Sequence, residues 1–594
     1  MAELALRPLA NLFAVGDPDP GALDRIEERL AASEEFEIVW RPAPGWLAAQ
    51  APLPESERDE DALRARGLAF VEGRDRLDGG RGLEWLERVA DLADHAPHRL
   101  GELPGDFGFI RFRPDGTALA VRSCGGLVPL YLHRMTGGGL ALGTLLNYFP
   151  RLLPVGFLPD PLINASWVRT PLIFIDGRTF VAGVSILPRA SHTELSPGRA
   201  PRTGTYWDPR PDAEPQPSPE HPRELRRLLL ATLSRDLDAK GRNLLMLSGG
   251  VDSSSLAALA SGTLDRRLSS WSLIPESDPP RARELSYIEP TVSRFGIAPA
   301  HERELSEEND LRWISSPPGL PFQILHPALC DLTHVLAEQE VCVLMSGMFA
   351  DEVCGEWQRM NDWVLHTSLR SLLSGRPVPF GRGDYLIWAK RRLREAVGRP
   401  RIPAMDLPGW APPEVAAEYR EWRRRHQAAL ARDHRPVREL AARADADAWV
   451  AMYWEGASPL GVRPLLPFFN REVLELAFQC HPRELLGPGY KRLLREALRN
   501  DVPARNLFRP DGGTWTGHFT DGTWITDGAL PAAARTIVRS DWHPVPPREL
   551  PWHDGKLLAY AARVAEYLAA EASADAPPES GRGRDDRPIA GRLA

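Results

Sequence analysis

The sequence has few lysines, no CxxC cysteine pairs and no excess of basic residues. Its 594 residues carry a formal net charge of −8, which argues against the basic surface of a nucleic-acid-binding protein. It has neither an apolar run of about eighteen residues nor a secretory leader pattern, so we expect a protein that neither spans a membrane nor is secreted. The five cysteines are isolated and odd in number, which predicts reduced thiols in a cytoplasmic protein.

A Walker phosphate loop, GxxxxGK[ST], is also missing, but another glycine-rich loop is present. The segment Leu247-Ser-Gly-Gly-Val-Asp-Ser-Ser-Ser255 lies between two apolar runs, 243–247 and 256–261. The first run predicts a buried parallel strand, and the second predicts a helix packed against it. Glycines allow a tight turn close to a ligand, and N–H groups at a helix start face an anion. The pattern predicts a pyrophosphate cradle; the alternative is a plain Ser/Gly helix cap.

A second motif lies about one hundred residues later in the sequence. Residues 341–356 run from an apolar strand into Ser346-Gly347 and then into Asp351-Glu352. Open α/β sheets bind ligands beyond the carboxyl ends of their strands, so we expect Asp252 and Asp351 to meet there. Two carboxylates from separate loops suit Mg²⁺, which favours one or two carboxylates with phosphate oxygens and water. The alternative is an ordinary helix start, where acidic residues suit the helix dipole.

A third segment, residues 461–498, contains Gly461-Val-Arg-Pro-Leu-Leu-Pro-Phe-Phe-Asn470 and, after it, Gly489-Tyr-Lys-Arg-Leu-Leu-Arg-Glu-Ala497. Lysine is rare in this chain, occurring only at positions 240, 390, 491 and 556, so a lysine within a motif is informative. The alternative for Lys491 is a solvated cation on a helix face.

In this order the three segments resemble the asparagine synthetase family of PP-loop ATP pyrophosphatases, with its SGGxDS, SGxGxDExxGG and RxPFlD motifs followed by a K-x-x-LR-x-A stretch. Enzymes of this family cleave ATP between the α and β phosphates and so adenylate a carboxylate. The resemblance implies ATP and Mg²⁺ as cofactors, with Asp252 and Asp351 as metal ligands. One departure is Asn470, which stands where the family has Asp.

The same resemblance implies a set of site residues. Asp252, Asp351, Glu352 and Lys491 would carry the chemistry, with Lys491 stabilising pyrophosphate or the oxyanion of the second step. The residues implied in binding ATP are Leu247, Ser248, Gly249, Gly250, Asp252, Ser253, Ser254, Leu273, Ser346 and Gly347. The general base for the amine stays open among Glu352, Glu356, His326 and Glu455.

The N-terminal part resembles the glutaminase half of the same family. Segments 103–109 and 121–131 resemble its "GdFaf" and "RDxxGxkPLyy" strands. That half hydrolyses glutamine with an N-terminal cysteine, whose α-amine is the base. Here position 2 is Ala2, the first cysteine is Cys124, and Ser123 replaces the family's Asp. We therefore expect a degenerate domain kept for packing or docking, with no ammonia derived from glutamine.

These resemblances and the composition predict an α/β protein with two domains. We expect residues 1–207 to form an N-terminal αββα glutaminase-like sandwich and residues 223–572 a C-terminal PP-loop domain with a parallel sheet. The length allows more than one core. Residues 208–222 form a proline-rich linker that is too polar to fold, and residues 573–594 form a tail of disordered composition.

Departures from the family pattern bear on the substrate. At position 348 asparagine synthetases carry an acidic residue and β-lactam synthetases a tyrosine, whereas Met348 offers no useful proton donor or acceptor. This favours the lasso peptide cyclase branch, the macrolactam synthetases, which join an Asp or Glu side chain of a ribosomal core peptide to the peptide's own N-terminal amine. The expected partners are the precursor core peptide, a leader peptidase and a leader-binding protein. The alternatives are a β-lactam synthetase or ammonia-dependent asparagine synthetase, and a non-catalytic scaffold.

The stretch 360–450 has a helical pattern and is the part of the sequence in which we expect the substrate to be selected. Its arginines would hold an acidic peptide, with Trp388, Trp410 and Trp422 lining a groove. The alternative is a solvated helix face with the Trp side chains packed inward.

Overall fold

A computed structural model describes residues 11–51, 68–73, 82–166, 174–208, 217–305, 338–355, 412–430, 445–480 and 491–509, apart from single or paired positions within them, and a few isolated residues elsewhere. These residues form two antiparallel sheets and one parallel sheet together with helices, so the predicted α/β class is confirmed. Among them, no helix is long and apolar enough to cross a membrane.

The strands are β1 (Leu12–Gly16), β2 (Ile38–Trp40), β3 (Trp46–Gln50), β4 (Leu68–Gly73), β5 (Phe107–Phe112), β6 (Ala118–Arg122), β7 (Tyr131–Arg134), β8 (Leu140–Gly143), β9 (Val184–Ile186), β10 (Ser191–Leu195), β11 (Arg202–Thr205), β12 (Asn243–Met246), β13 (Ser269–Pro275), β14 (Ala300–Leu305), β15 (Val343–Met345) and β16 (Arg463–Leu465). The helices are α1 (Pro20–Ala31), α2 (Gly82–His95), α3 (Tyr148–Leu152), α4 (Pro161–Ser166), α5 (His221–Asp236), α6 (Val251–Ala257), α7 (Pro280–Phe295), α8 (Ala350–Cys354), α9 (Pro413–Leu430), α10 (Asp445–Ala457), α11 (Arg471–Gln479), α12 (Arg492–Ala497) and α13 (Ala504–Leu507).

The N-terminal half is the predicted αββα sandwich. Its sheets have the strand orders β2-β3-β1-β8-β7-β9 and β11-β10-β6-β5-β4. Side chains alternate between the two faces of a strand, so Ile110 and Phe112 of β5 enter the core between the sheets, while Phe107 and Phe109 join the cluster under α2. The rings of Trp46 and Phe112 pack across the sandwich with centroids 5.4 Å apart. Helix α1 covers β2 and β3.

The C-terminal half contains a parallel sheet of order β14-β13-β12-β15-β16. The predicted buried strand is confirmed as β12, which lies at its centre between β13 and β15. The helix after it begins at Val251 rather than at Leu256, because the extended Gly250 already completes the turn. Asp252, Ser253 and Ser254 therefore lie in the first helical turn.

Buried polar contacts join the two halves. The side-chain oxygen of Asn11 accepts hydrogen bonds from Trp454 Nε1 at 3.2 Å and from Ser458 Oγ at 3.3 Å. The backbone N–H of Leu146 donates to Glu455 Oε1 over 2.7 Å. Helix α10 thus brings a row of side chains from the C-terminal half against the sandwich.

Several predicted segments lie partly or wholly outside the described residues. These include 209–216 of the linker, the tail 573–594, and Trp388 and Trp410. Helix α5 begins at His221, inside the predicted linker. Trp422 packs inward beside Tyr419 with ring centroids 5.7 Å apart, which agrees with the alternative of inward packing for this residue.

Candidate active site

The two glycine loops at the ends of β12 and β15 touch each other. A Cβ atom at Gly347 would lie only 2.9 Å from Asp252 Cβ and 3.2 Å from Ser253 N, so the contact requires a residue without a side chain. The carboxyl ends of neighbouring parallel strands share one edge of the sheet, which is why the two loops meet there. Asp252 and Asp351 therefore both lie at this edge, as the sequence predicts.

Lys491 lies between the two aspartates. Its ammonium group forms ion pairs with the carboxylate of Asp252 and, at 2.5 Å, with Asp351 Oδ1. The side chain is 1% exposed, so the alternative of a solvated cation on a helix face is wrong. Lys491 precedes α12 in a left-handed conformation (φ 52°), and its N–H donates to Gly355 O over 3.1 Å.

Backbone strain also occurs in the second loop. Phe349, at the start of α8, is left-handed with φ 69°. A non-glycine residue in this region costs about 1–3 kcal/mol and persists only when its surroundings hold it. Phe349 is held by stacking on Phe469, with ring centroids 4.1 Å apart. Two such residues, Phe349 and Lys491, flank the aspartates.

The electrostatics of Asp252 suit a metal ligand. Burial raises the pKa of its carboxyl group to about 6, although the nearby Lys491 opposes that shift. Its Oδ1 atom is buried and has no hydrogen-bond partner among the described residues, a costly arrangement for a polar atom. Carboxylate oxygens are the ligands that Mg²⁺ prefers. Asp252 and Asp351 therefore fit a magnesium ion.

Serine hydroxyls line the first loop on the same side. Ser248 Oγ lies 3.3 Å from Ser253 Oγ and accepts a hydrogen bond from Gly250 N at 3.3 Å. The N–H of Ser248 donates to Ser253 Oγ over 3.2 Å. Gly249 has φ +67°, which glycine adopts without strain. The loop thus presents two hydroxyls and a tight backbone turn beside Asp252.

Ser254 faces the opposite way. It is fully buried, its Oγ lies 3.3 Å from Thr291 Oγ1, and it receives a hydrogen bond from Asn506 Nδ2 over 3.2 Å. Residues two positions apart in an α-helix are rotated by about 200° around its axis, so Ser254 and Asp252 point to opposite sides. The expectation that Ser254 lines the pyrophosphate cradle therefore disagrees with its placement behind the loop.

The residues predicted to contact adenosine lie at adjacent strand ends. Leu247 N donates to Trp271 O over 2.9 Å, and Leu273 follows on β13; both leucines are buried. Ser346 Oγ lies 3.0 Å from the hydroxyl of Tyr453. Burial raises the pKa of Tyr453 to about 12, so its hydroxyl is neutral. Sequence reasoning missed Tyr453, although a tyrosine in the otherwise apolar stretch 448–454 was the available signal.

The four candidate general bases are separated. Glu352 follows Asp351 on α8 and is partly buried at the site. Glu455 instead faces the N-terminal half, where it accepts the Leu146 N–H and where burial raises its pKa to about 8. Its placement argues against a role as the base. Glu356 and His326 lie outside the described residues.

Asn470 shows why the replacement of the family's Asp is tolerated. Its Oδ1 accepts from Val473 N at 2.8 Å and so caps α11. Its Nδ2 donates to Thr232 Oγ1 over 2.6 Å. A hydroxyl can either donate or accept, so Thr232 can bond to an Asn as well as to an Asp at this position.

Comparison with known proteins agrees with this geometry. The model of the asparagine synthase family matches residues 224–588, which is more than half of the chain. The chain belongs to the asparagine synthase family. The family assignment from sequence is thus confirmed, and it indicates an ATP-dependent amide-forming ligase. No curated protein matches this asparagine synthase family member.

Two solved structures illustrate its distant likenesses. The U34-tRNA thiolase NcsA from Methanococcus maripaludis with its [4Fe-4S] cluster is 15% identical, with a TM-score of 0.21, over 38% of this chain and 79% of that one. The glutamine phosphoribosylpyrophosphate amidotransferase from B. subtilis complexed with ADP and GMP is 10% identical, with a TM-score of 0.19, over 52% and 82%. At these TM-scores neither likeness carries an argument.

Proposed function

We propose that this chain adenylates a carboxylate with ATP, releases pyrophosphate, and joins the activated acyl group to an amine. The observation that carries the proposal is the arrangement of Lys491 between Asp252 and Asp351, beside the turn at Gly249. The two carboxylates would hold Mg²⁺, while the buried lysine and the N–H groups of the turn would face the anionic oxygens of pyrophosphate.

The chemistry of the first step needs positioning and charge neutralisation. A carboxylate attacks the α-phosphorus, and negative charge grows on the departing pyrophosphate. Ser248 and Ser253 would hold the pyrophosphate by hydrogen bonds, with Lys491 supplying a positive charge in a buried setting where it acts strongly. When bound by Asp252 and Asp351, Mg²⁺ would neutralise pyrophosphate oxygens.

In the second step an amine attacks the acyl-adenylate. The carbonyl oxygen gains charge and AMP leaves with the electron pair of the broken C–O bond. Lys491 would stabilise that charge once pyrophosphate has left. The amine must lose a proton, and Glu352 is the candidate base among the described residues that lies at the site.

For the substrate we propose a ribosomal core peptide, closed to a macrolactam between an Asp or Glu side chain and its N-terminal amine. Met348 supports this proposal: its backbone N–H donates to Ser346 Oγ, and it is a partly buried apolar residue at the position where the resemblance gives asparagine and β-lactam synthetases a polar one. The proposed partners are a leader peptidase, which exposes the amine, and a leader-binding protein.

Mass spectrometry tests the proposal. The purified protein is incubated with ATP, Mg²⁺ and a leader-free candidate peptide, and the expected product is lighter by one water. The same peptide with its leader attached is the control and should not react. Formation of asparagine from aspartate and ammonia, or closure of a β-lactam, would show that the substrate is not a peptide. The proposed adenylation chemistry would still stand. No ATP binding at all would favour a non-catalytic scaffold.

A further inference from the structure

Two buried polar side chains, Asn506 and Arg509, lie behind the first glycine loop. Asn506 is on α13 and is 0% exposed, and Arg509 follows that helix and is 2% exposed. They come about 250 residues after the loop, and no motif of the sequence includes them. Buried polar groups of this size need partners, so their hydrogen bonds show what they hold.

Their hydrogen bonds end on consecutive carbonyls of the loop. Arg509 Nη1 donates to Ser248 O over 3.1 Å. Asn506 Nδ2 donates to Gly249 O over 2.9 Å and to Tyr287 O, on α7, over 2.6 Å. The two side chains therefore hold two successive peptide groups of the loop from one side.

The direction of these contacts sets the direction of the loop N–H groups. In a trans peptide the C=O and the N–H point in opposite directions across the same plane. Holding the carbonyls of Ser248 and Gly249 toward α13 therefore turns the N–H groups of Gly249 and Gly250 toward the opposite side. On that side lies Ser248 Oγ, which accepts the Gly250 N–H. Successive N–H groups aimed one way form an anion-binding concavity.

The support behind the loop is itself rigid. Arg509 Nη2 binds both oxygens of Glu284 at 2.8 Å, and its guanidinium lies 4.3 Å from the ring centroid of Tyr287. A buried ion pair contributes little net stability because desolvation offsets the attraction. What the Arg509–Glu284 pair supplies is a fixed position for the group that holds Ser248 O.

The loop also packs directly on α7. A Cβ atom at Gly249 would lie 2.7 Å from Tyr287 Cβ, so the loop backbone already touches this helix. The peptide at Gly249 has no room to retreat, and Asn506 fixes its remaining freedom, the rotation of the peptide plane.

We propose that Asn506 and Arg509 are positioning residues that orient the Gly249 and Gly250 N–H groups toward the pyrophosphate portion of ATP. This inference rests on the proposed function, because it assigns a role in binding the same phosphates. It predicts a selective defect, in which the loop loses affinity for pyrophosphate while the adenosine side of the site, formed by other strand ends, is unaffected.

Isothermal titration with magnesium pyrophosphate and, separately, with AMP tests the proposal. We expect Asn506→Ala to weaken pyrophosphate binding about tenfold, the size of effect expected when one neutral hydrogen bond is lost, with AMP binding unchanged. Asn506→Leu nearly preserves the side-chain volume, adds no charge and cannot donate to the carbonyls, and it should show the same selective loss. This second variant provides the test if the alanine variant does not fold.

The matched control is Asn243→Ala. Asn243 is also a buried asparagine whose Nδ2 donates to two backbone carbonyls, those of Asp238 and Arg267, but at the other end of β12. It should lower stability without changing either affinity. Equal losses of pyrophosphate and AMP binding in the Asn506 variants, or no loss, would overturn the inference. A wild-type protein that binds neither ligand would overturn the proposed function, and this inference with it.

Discussion

Arg122 in the N-terminal half and Lys491 in the C-terminal half are both buried cations, but their surroundings differ. Arg122 donates to the carbonyls of Gly126, Val128 and Leu187 and pairs with Asp447 at 3.0 Å. Its partners are fixed backbone and one interior carboxylate, so the contacts hold the fold.

Lys491 instead contacts two carboxylates that lie in the first turns of two different helices, α6 and α8. The side chain of Asp351 is 38% exposed and that of Asp252 is 22% exposed, whereas the Asp447 side chain beside Arg122 is 3% exposed. Cys124 in the N-terminal half is enclosed like Arg122. It is buried, and burial raises the pKa of its thiol, which suppresses the reactive thiolate. The comparison teaches that the carboxylates around Lys491 remain accessible to a ligand, while the carboxylate that pairs with Arg122 is enclosed by the fold.

The largest effect is expected from removing the buried lysine. Lys491→Met leaves two carboxylates facing each other and removes the charge that balances pyrophosphate, so turnover should fall about a thousandfold with the fold retained. The control is Lys240→Met, at an exposed lysine, which should keep wild-type turnover. Steady-state release of pyrophosphate measures both. Equal turnover of the two variants would break the distinction between an active and a structural cation.

Around Arg122, whose carboxylate partner Asp447 lies on α10, the expected loss is one of stability. Asp447→Ala leaves Arg122 and Arg189 buried without their carboxylate, so the free energy of unfolding should fall by about 3 kcal/mol. Arg425→Ala is the control, because it breaks an exposed ion pair between the halves, with Asp176, that is worth less than about 1 kcal/mol. Urea denaturation measures both. Loss of turnover without loss of stability in Asp447→Ala would assign the network to the site instead.

A pH dependence of stability is expected at the contact between the halves. The folded pKa of Glu455 is about 8, above its unfolded value, so its contribution is fully present at low pH and is lost as pH rises toward 8. Glu455→Gln keeps an acceptor for Leu146 N–H but does not titrate. The free energy of unfolding of the variant, relative to that of the wild type, should therefore rise by about 1 kcal/mol per pH unit from pH 5 to 8. Above pH 8 the difference should stay constant. A pH-independent difference for Glu455→Gln would contradict this account.

The smallest effect is expected at the thiol of the N-terminal half. Cys124→Ala removes a buried thiol whose raised pKa suppresses the thiolate, so turnover with a free amine should be unchanged and added glutamine should give no increase in either protein. The wild-type chain under the same conditions is the control. A glutamine-dependent rate that the substitution abolishes would show that this half is active.

The sequence predicted the elements whose signals are local. Motif order and the geometry of parallel sheets predict the apolar strand, the turn at Gly249 and the proximity of Asp252 to Asp351. The side on which each serine lies did not follow, because it depends on where α6 begins. A start at Val251 instead of Leu256 turns Ser254 away from the site.

Long-range contacts were beyond prediction from sequence. Asn506 and Arg509 meet the loop across about 250 residues, and neither belongs to a periodic or charged pattern. Glu455 was a candidate base because it is acidic, but its burial against the N-terminal half depends on how α10 packs, which a single sequence does not specify.

Product analysis tests the central claim most directly. The claim is that the site around Lys491, Asp252 and Asp351 transfers the adenylyl group of ATP to a carboxylate. With ATP, Mg²⁺ and a carboxylate-bearing peptide, the account predicts equal amounts of AMP and pyrophosphate, formed only when the peptide is present and absent in Asp252→Asn. Formation of ADP and phosphate in place of AMP and pyrophosphate would contradict it.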